Sequence, residues 1–449
     1  MKKRVLVSLL MSAICVPMLV GCGSNTNMAS SASSASTAGD ASEDDETTVK
    51  AGSTSEDATR ITMWGWNAGD IEKIFNAYVE QTGANVSLNY VTVQQTEAFQ
   101  KLQTTVSAGL DMPDIVPSEA GQRGTMVGLG IWEDLSADPY NFDKSNMFDY
   151  QVNLCSDEDG RLVALPMDIS SAALAYKKEL TKEYLGTDDP DELAAMLPDW
   201  DTFLKKGEEV RDKSDGKVFM FASLTGIKQI LDGQNPQPII TANTLDMTSP
   251  NKTIETMAKF RDAGIVDNMD ETSVAYSASY ADDIHVFYPC ASWTPAYTIA
   301  PNDPNGKDRW GLMIPPEGCF SWGGTANMIP SGAPHKNEAF DFLNWMCSLE
   351  GCKTVYDVVN WNDSNPEMYE DPKYAQLYSE SFGDQNIGEI LFVKAMDNIK
   401  VRPISEYDAT ISDTWSLVIQ AMTSDTSLDA AGAEQMFEEE LRNKITDLK

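Results

Sequence analysis

Tryptophans and carboxylates carry most of the chemistry open to this 449-residue chain, which has 10 Trp and 69 Asp plus Glu but only 2 His. Trp64, Trp66 and Asn67 stand at the end of a short apolar run that begins at Ile61. Trp322 adjoins Gly323-Gly324, where missing side chains let backbone approach a bound molecule closely. Asp168 follows Pro166 at a place where a carboxylate is costly to bury without a partner. Indole rings supply apolar area at small entropic cost, and ionised acceptors make strong hydrogen bonds. Such groups suit holding a molecule that has both flat apolar faces and hydroxyls.

The groups that bond-breaking or metal chemistry would need are sparse. His285 and His335 each lack a second histidine nearby, which argues against histidine-rich metal sites and Ser-His-Asp hydrolysis. Phosphate-loop, dinucleotide and His-Glu-x-x-His motifs are absent. Asp157-Glu158-Asp159-Gly160 and Asn302-Asp303-Pro304-Asn305-Gly306 read as turns and do not match a calcium loop. Beyond the N-terminal region, Cys155, Cys290, Cys319, Cys347 and Cys352 are odd in number and irregular in spacing. They read as buried free thiols, not as a disulfide framework or zinc site. No catalytic residue, metal or cofactor is expected. The formal net charge of −36 argues against nucleic acid and against docking on anionic lipid.

The elements that must position these side chains begin after an unusual N-terminus. Lys2, Lys3 and Arg4 precede an apolar run from Val5 to Val20, which ends in Leu19-Val20-Gly21-Cys22. A basic start, an apolar core and small residues at the end read as an export signal over 1–21. The run falls short of the ~20 residues of a spanning helix. Its end resembles the bacterial lipobox, which implies lipidation of Cys22 and an extracytoplasmic, lipid-anchored protein. Loss of the three basic residues with the signal takes the formal charge to −39. Residues 22–58 are rich in Ser, Ala, Thr, Gly and acid and read as a disordered tether with a reach of roughly 30–36 Å.

The remaining residues exceed one ordinary core and suit two domains. Ile61–Trp66, Val86–Tyr90 and Asp114–Val116 read as strands. Between them Ile71, Ile74, Phe75, Tyr78 and Val79 mark one helix, with Asp70 as N-cap and Gly83 as stop. Phe99, Leu102 and Val106 mark a second, ending near Gly109. This alternation predicts a parallel sheet with helices on its faces. Later helices are expected at Trp200–Arg211, Thr253–Ala263, Asn337–Leu349 and Ile411–Met422, and buried strands at Arg161–Leu165 and Val286–Tyr288.

Four stretches together resemble the extracellular solute-binding proteins of ABC importers, in the sugar-binding group that includes maltose-binding protein. They are Met63–Asn67, Met112–Val116, Gly160–Asp168 with Leu174–Leu180, and Ser321–Gly324 leading to Ile329–Ser331 and the helix from Asn337. The resemblance implies an α/β, two-lobed periplasmic-binding-protein-like fold with hinge-crossing strands. The first lobe would comprise 59–167 with 327–385, and the second 168–326 with 386–449. It implies a sugar or oligosaccharide held between the lobes, an ABC permease as partner, and a monomer that meets the membrane only through its lipid.

The ligand set that follows comprises Trp66 and Asn67 at the first strand exit, Glu119 and Gln122 after the third strand, and Asp168 at the crossing. It adds Trp293 after the small-residue turn Tyr288–Ser292, Trp322 beside its glycines, and Trp415 in the last-lobe helix. Trp345 and Trp361 are expected to pack. Three rivals stay open: a non-sugar solute such as a polyamine, favoured by acidity and cation–π chemistry; a surface glycoside hydrolase, which needs two carboxylates flanking a cleft; and a structural lipoprotein without a cleft.

Overall fold

A computed structural model describes residues 48–396 and 398–449. The signal segment, Cys22 and the tether up to residue 47 lie outside the described residues. The end of the expected tether is ordered structure instead. There β1 (Thr48–Gly52) pairs antiparallel with β3 (Val86–Thr92), and β2 (Thr59–Gly65) pairs parallel with β3 on its other side. Ala51 is buried in the core below, which is why this stretch is held despite its polar composition.

The predicted alternation holds locally. Helix α1 (Ala68–Thr82) buries Ile71, Ile74, Phe75 and Tyr78. It starts at Asn67, so Asp70 lies in the first turn, where a carboxylate favours the positive helix end. Gly83, at φ 70°, closes the helix in the left-handed conformation that glycine adopts freely. Helix α2 (Ala98–Ala108) ends at Gly109. Ile115 bridges Met63 in parallel, and β4 (Val116–Glu119) then leads straight into α3 (Ala120–Val127).

The chain continues through β5 (Leu165–Pro166), β6 (Ser171–Lys177), α4 (Trp200–Lys213), β7 (Phe219–Phe221), α5 (Leu224–Gly233) and α6 (Thr248–Asp262). Next come β8 (His285–Ala291), β9 (Trp310–Met313), β10 (Phe320–Ser321) and β11 (Thr325–Met328). The last long helices are α7 (Lys336–Cys347), α8 (Leu349–Val359), α9 (Asp408–Ser424) and α10 (Ala430–Lys444). Of the expected strand Arg161–Leu165, only Leu165 belongs to β5; Leu162, Val163 and Ala164 are fully buried beside it.

The second large sheet runs β9-β6-β8-β7, with β10 also on β6. Every residue of β6 and β8 is buried, as expected of strands covered on both faces. The purely parallel expectation fails here. β8 is parallel to β7, but β6 is antiparallel to β8, β9 and β10. A small third sheet, β4-β11-β5, is antiparallel throughout.

One core joins residues 51–167 with 326–355, and another joins 172–320 with 411–445. A third core packs Met368, Tyr369, Phe382 and Leu391 against Ala173, Ala175, Tyr288 and Leu312. The same core holds Tyr150 and Cys352, so it joins segments expected in both lobes. Two short segments cross between the small sheet and the large one, 167–170 after β5 and 322–324 after β10. They are tied side by side. Met167 N–H donates to Thr325 O at 2.9 Å, Trp322 N–H donates to Ser170 O at 2.9 Å, and the Ser170 and Ser321 hydroxyls meet at 3.0 Å. All five cysteines among the described residues are free and buried. Among the described residues no helix is long and apolar enough to cross a membrane.

Candidate functional site

A cleft of about 250 Å³ opens at the crossings, where elements of the first and second cores face each other. Its walls come from the β4–α3 junction, helix α5, the crossing at Trp322, the 401–404 loop and helix α9. Glu119 ends β4 and caps α3, its Oε2 accepting the Gly121 N–H at 2.7 Å. Burial pushes its carboxyl above the usual range, against the pull of that N–H and of Arg123. On the opposite wall Lys228 and Asp232, one turn apart on α5, pair at 3.1 Å. Arg402 pairs with Asp408, whose Oδ2 also accepts the Ser405 N–H at 2.9 Å. Burial alone would raise Asp232. The combined attraction of Lys228 and Arg402 outweighs it and holds the carboxyl below its ordinary value.

The aromatic side of the cleft is Trp322. Gly323 and Gly324 follow it at φ 76° and 100°, and their backbone packs where side chains would clash. A Cβ on Gly324 would stand 2.8 Å from Ser170 Cβ. Trp293, at the exit of β8, packs behind Trp322 with ring centres 4.8 Å apart and planes at 59°. The rim is closed by α3 against α9. At Gly124 a Cβ would stand 2.0 Å from Ser405 O and 2.7 Å from Asp408 Oδ2, so glycine is what lets α3 meet the start of α9 and the loop before it.

Beneath the floor, Arg123 is buried and ties three segments together. It donates to Ser118 Oγ at 3.0 Å, Ser118 O at 3.1 Å, Leu154 O at 3.0 Å and Gly324 O at 2.8 Å. Asp168 lies beside it, and its Oδ1 accepts the Thr325 N–H at 3.0 Å. Burial pushes the Asp168 carboxyl up to about 6, opposed by that N–H and by Arg123.

Residues 73–378 match the sequence profile of the bacterial extracellular solute-binding protein. The chain belongs to that family. This solute-binding protein is 22% identical over 407 residues to the maltooligosaccharide ABC transporter solute-binding lipoprotein of Streptococcus pneumoniae serotype 4 (strain ATCC BAA-334 / TIGR4), covering 84% of this chain and 86% of the relative. A crystal structure of an extracellular solute-binding protein of family 1 superposes with a TM-score of 0.77 at 20% identity, over 86% of this chain and 99% of the other. The sugar-binding protein MalE from the phytopathogen Xanthomonas citri superposes at 0.69 and 15% identity, over 86% and 98%. These two structures share the two-lobed α/β fold.

The cleft of this solute-binding protein gathers Glu119, Trp322 and Trp415 from the expected ligand set, with Trp293 in support. The other expected residues fall elsewhere. Asp168 lines an adjoining recess of only about 10 Å³, which shares Leu154 and Gly323 with the cleft and has room for one water at most. There it ties the crossing segments through Thr325. Trp66, Asn67 and Gln122 do not line the cleft. The Asn67 N–H instead donates to Tyr90 Oη at 3.0 Å at the start of α1. Trp415 is only 2% exposed and packs on Phe437 with ring centres 4.5 Å apart, so it has no free face for stacking. Trp345 packs as expected, donating to Gln81 Oε1 at 2.7 Å.

Lys228, Asp232, Arg402 and Asp408 were missed. The Lys228-to-Asp232 spacing of one helical turn was a readable signal, but nothing local marked Arg402. His285 is fully buried away from the cleft. Its Nδ1 lies 2.6 Å from Asp282 Oδ2, and its Nε2 2.9 Å from Asp267 Oδ2. Among the described residues no group of three or more His, Cys, Asp or Glu side chains could hold a metal ion.

Proposed function

We propose that this chain captures a sugar or short oligosaccharide in the cleft and delivers it unchanged to an ABC permease. In this reading it is a monomer held outside the cell by lipid on Cys22. The observation that carries it is Trp322, braced by Trp293, facing Glu119 and two cation-paired carboxylates across one cleft at the crossings. An indole can cover a pyranose face while the carboxylates accept hydroxyl hydrogens. The names of the pneumococcal relative and of the Xanthomonas protein point to the same ligand class. Glycoside hydrolysis is the rival reading: it needs two carboxyls flanking the cleft, one able to donate a proton, and here burial raises Glu119 while cations hold Asp232 low.

A thermal-shift screen over mono- and oligosaccharides tests the function. A ligand at about 100 times its dissociation constant should add roughly 2.7 kcal/mol to the unfolding free energy. Chromatography of the released ligand should return it intact; cleaved product would make the protein a hydrolase. Trp322→Ala should weaken binding by about 2 kcal/mol or more, as for a buried aromatic anchor. Trp293→Ala should weaken it through loss of the brace, with only a small drop in apo melting. Normal affinity in both variants would remove the aromatic wall from the site. Anchoring has its own test: Cys22→Ser should release the protein from membranes into the soluble fraction, and unchanged membrane retention would refute lipidation there.

A further inference from the structure

The charges around the cleft do not balance, and the imbalance has one sign. Three carboxylates line it, Glu119, Asp232 and Asp408, against two cations, Lys228 and Arg402. Both cations are already engaged. Lys228 pairs with Asp232 at 3.1 Å and sits 5.7 Å from the Trp415 ring centre. Arg402 pairs with Asp408 and feels Asp232 as well. The order along the wall is therefore Trp415, Lys228, Asp232, Arg402, Asp408, with each positive group bracketed by negative or π density. Counting the layer beneath adds Arg123 and Asp168, one of each sign, and Arg123 has its donors on Ser118, Leu154 and Gly324 oxygens. The excess carboxylate is Glu119. Among the described residues its hydrogen-bond donors are backbone N–H groups, and no cation pairs with it directly.

We propose that the cleft is a charge filter that admits neutral sugars and rejects acidic ones such as uronic acids, with Glu119 as the residue that sets the selection. This rests on the sugar reading above. A neutral polyol matches the wall because each hydroxyl both donates and accepts, so it can bridge an ion pair without breaking it. An anionic sugar would have to take Lys228 or Arg402 from its partner and leave a carboxylate unpaired and half-buried. It would also meet the Glu119 charge at close range, where repulsion is large in a low-dielectric cleft.

The test uses matched probes: glucose with glucuronic acid, galactose with galacturonic acid, and the corresponding neutral and uronate disaccharides. Affinities are measured calorimetrically on the full folded chain and on Glu119→Gln. For whichever neutral sugar binds, its uronate should bind at least about tenfold more weakly at low salt, and the gap should narrow as salt rises. In Glu119→Gln the neutral-to-uronate ratio should fall severalfold, whatever happens to the absolute affinities. A uronate that binds as tightly as its neutral counterpart would overturn the filter while leaving sugar capture intact. So would a ratio that responds to neither salt nor the substitution, because that marks a steric preference. Binding of no sugar in either form would overturn the sugar reading itself.

Discussion

Asp363→Asn should remove a steep pH dependence of stability and make the protein more resistant to unfolding at pH 8 relative to the parent. Asp363 is fully buried, and its Oδ2 has no hydrogen-bond partner among the described residues. Its Oδ1 accepts the Ser364 N–H at 2.7 Å. Burial is the main reason its carboxyl is pushed up to about 8, and the nearby Asp168 charge adds to it. The thiols of Cys347 and Cys352 and the phenol of Tyr369 share this pocket, and each is itself raised by burial.

The sign follows from linkage. Between the unfolded value near 3.8 and the folded value near 8, the unfolded chain has lost this proton while the folded chain keeps it. The contribution is fully present below pH 3.8, falls as pH rises, and is gone once pH passes 8. From pH 5 to pH 8 the expected loss from this one group is about 4 kcal/mol. Denaturant titrations of parent and Asp363→Asn across that range should diverge by this amount, with the variant gaining on the parent as pH rises. Parallel curves would mean that Asp363 is ionised in the folded protein at pH 7.

Trp415→Ala should cost the fold about 3–5 kcal/mol, the usual penalty for emptying a large aromatic site in a core. The ring is 2% exposed, packs against Phe437 and lies among Ile411, Val418 and Met422 in the second core. The folded fraction should still bind sugar with affinity reduced less than about tenfold, since the ring contributes cleft wall and not a stacking face. Denaturant midpoint and calorimetric affinity, measured on the same sample, separate the two effects. Lost binding with an unchanged midpoint would restore Trp415 as a ligand platform.

The aromatic residues of the expected site carry the more local signals. Trp293 was placed at a strand exit because β8 is a short apolar run followed by a small-residue turn, and both features are local. Trp322 was marked by Gly323-Gly324, whose conformational freedom is also local. Asp168 was read from its neighbours in sequence, which do not include Thr325, the group that donates to its Oδ1. Gln122 follows Glu119 by three residues, yet only Glu119, the cap of α3, lines the cleft.

From the sequence alone came the α/β alternation, the long helices, the free thiols and the expectation of export, which follow from periodicity, caps and composition acting over a few residues at a time. The expectation of a binding chain came from the family resemblance. Only the tertiary structure decided that β6 runs antiparallel to its neighbours, that Thr48–Gly52 is a strand, and that Asp363 is sealed in a core. Only it brought Arg402 and Asp408 beside Lys228 and Asp232 to make the charged wall. The physical reason is common to all four. Strand direction, burial and ion pairing depend on which distant segments share a face, and hydrophobic patterning specifies that a face is buried without specifying what covers it.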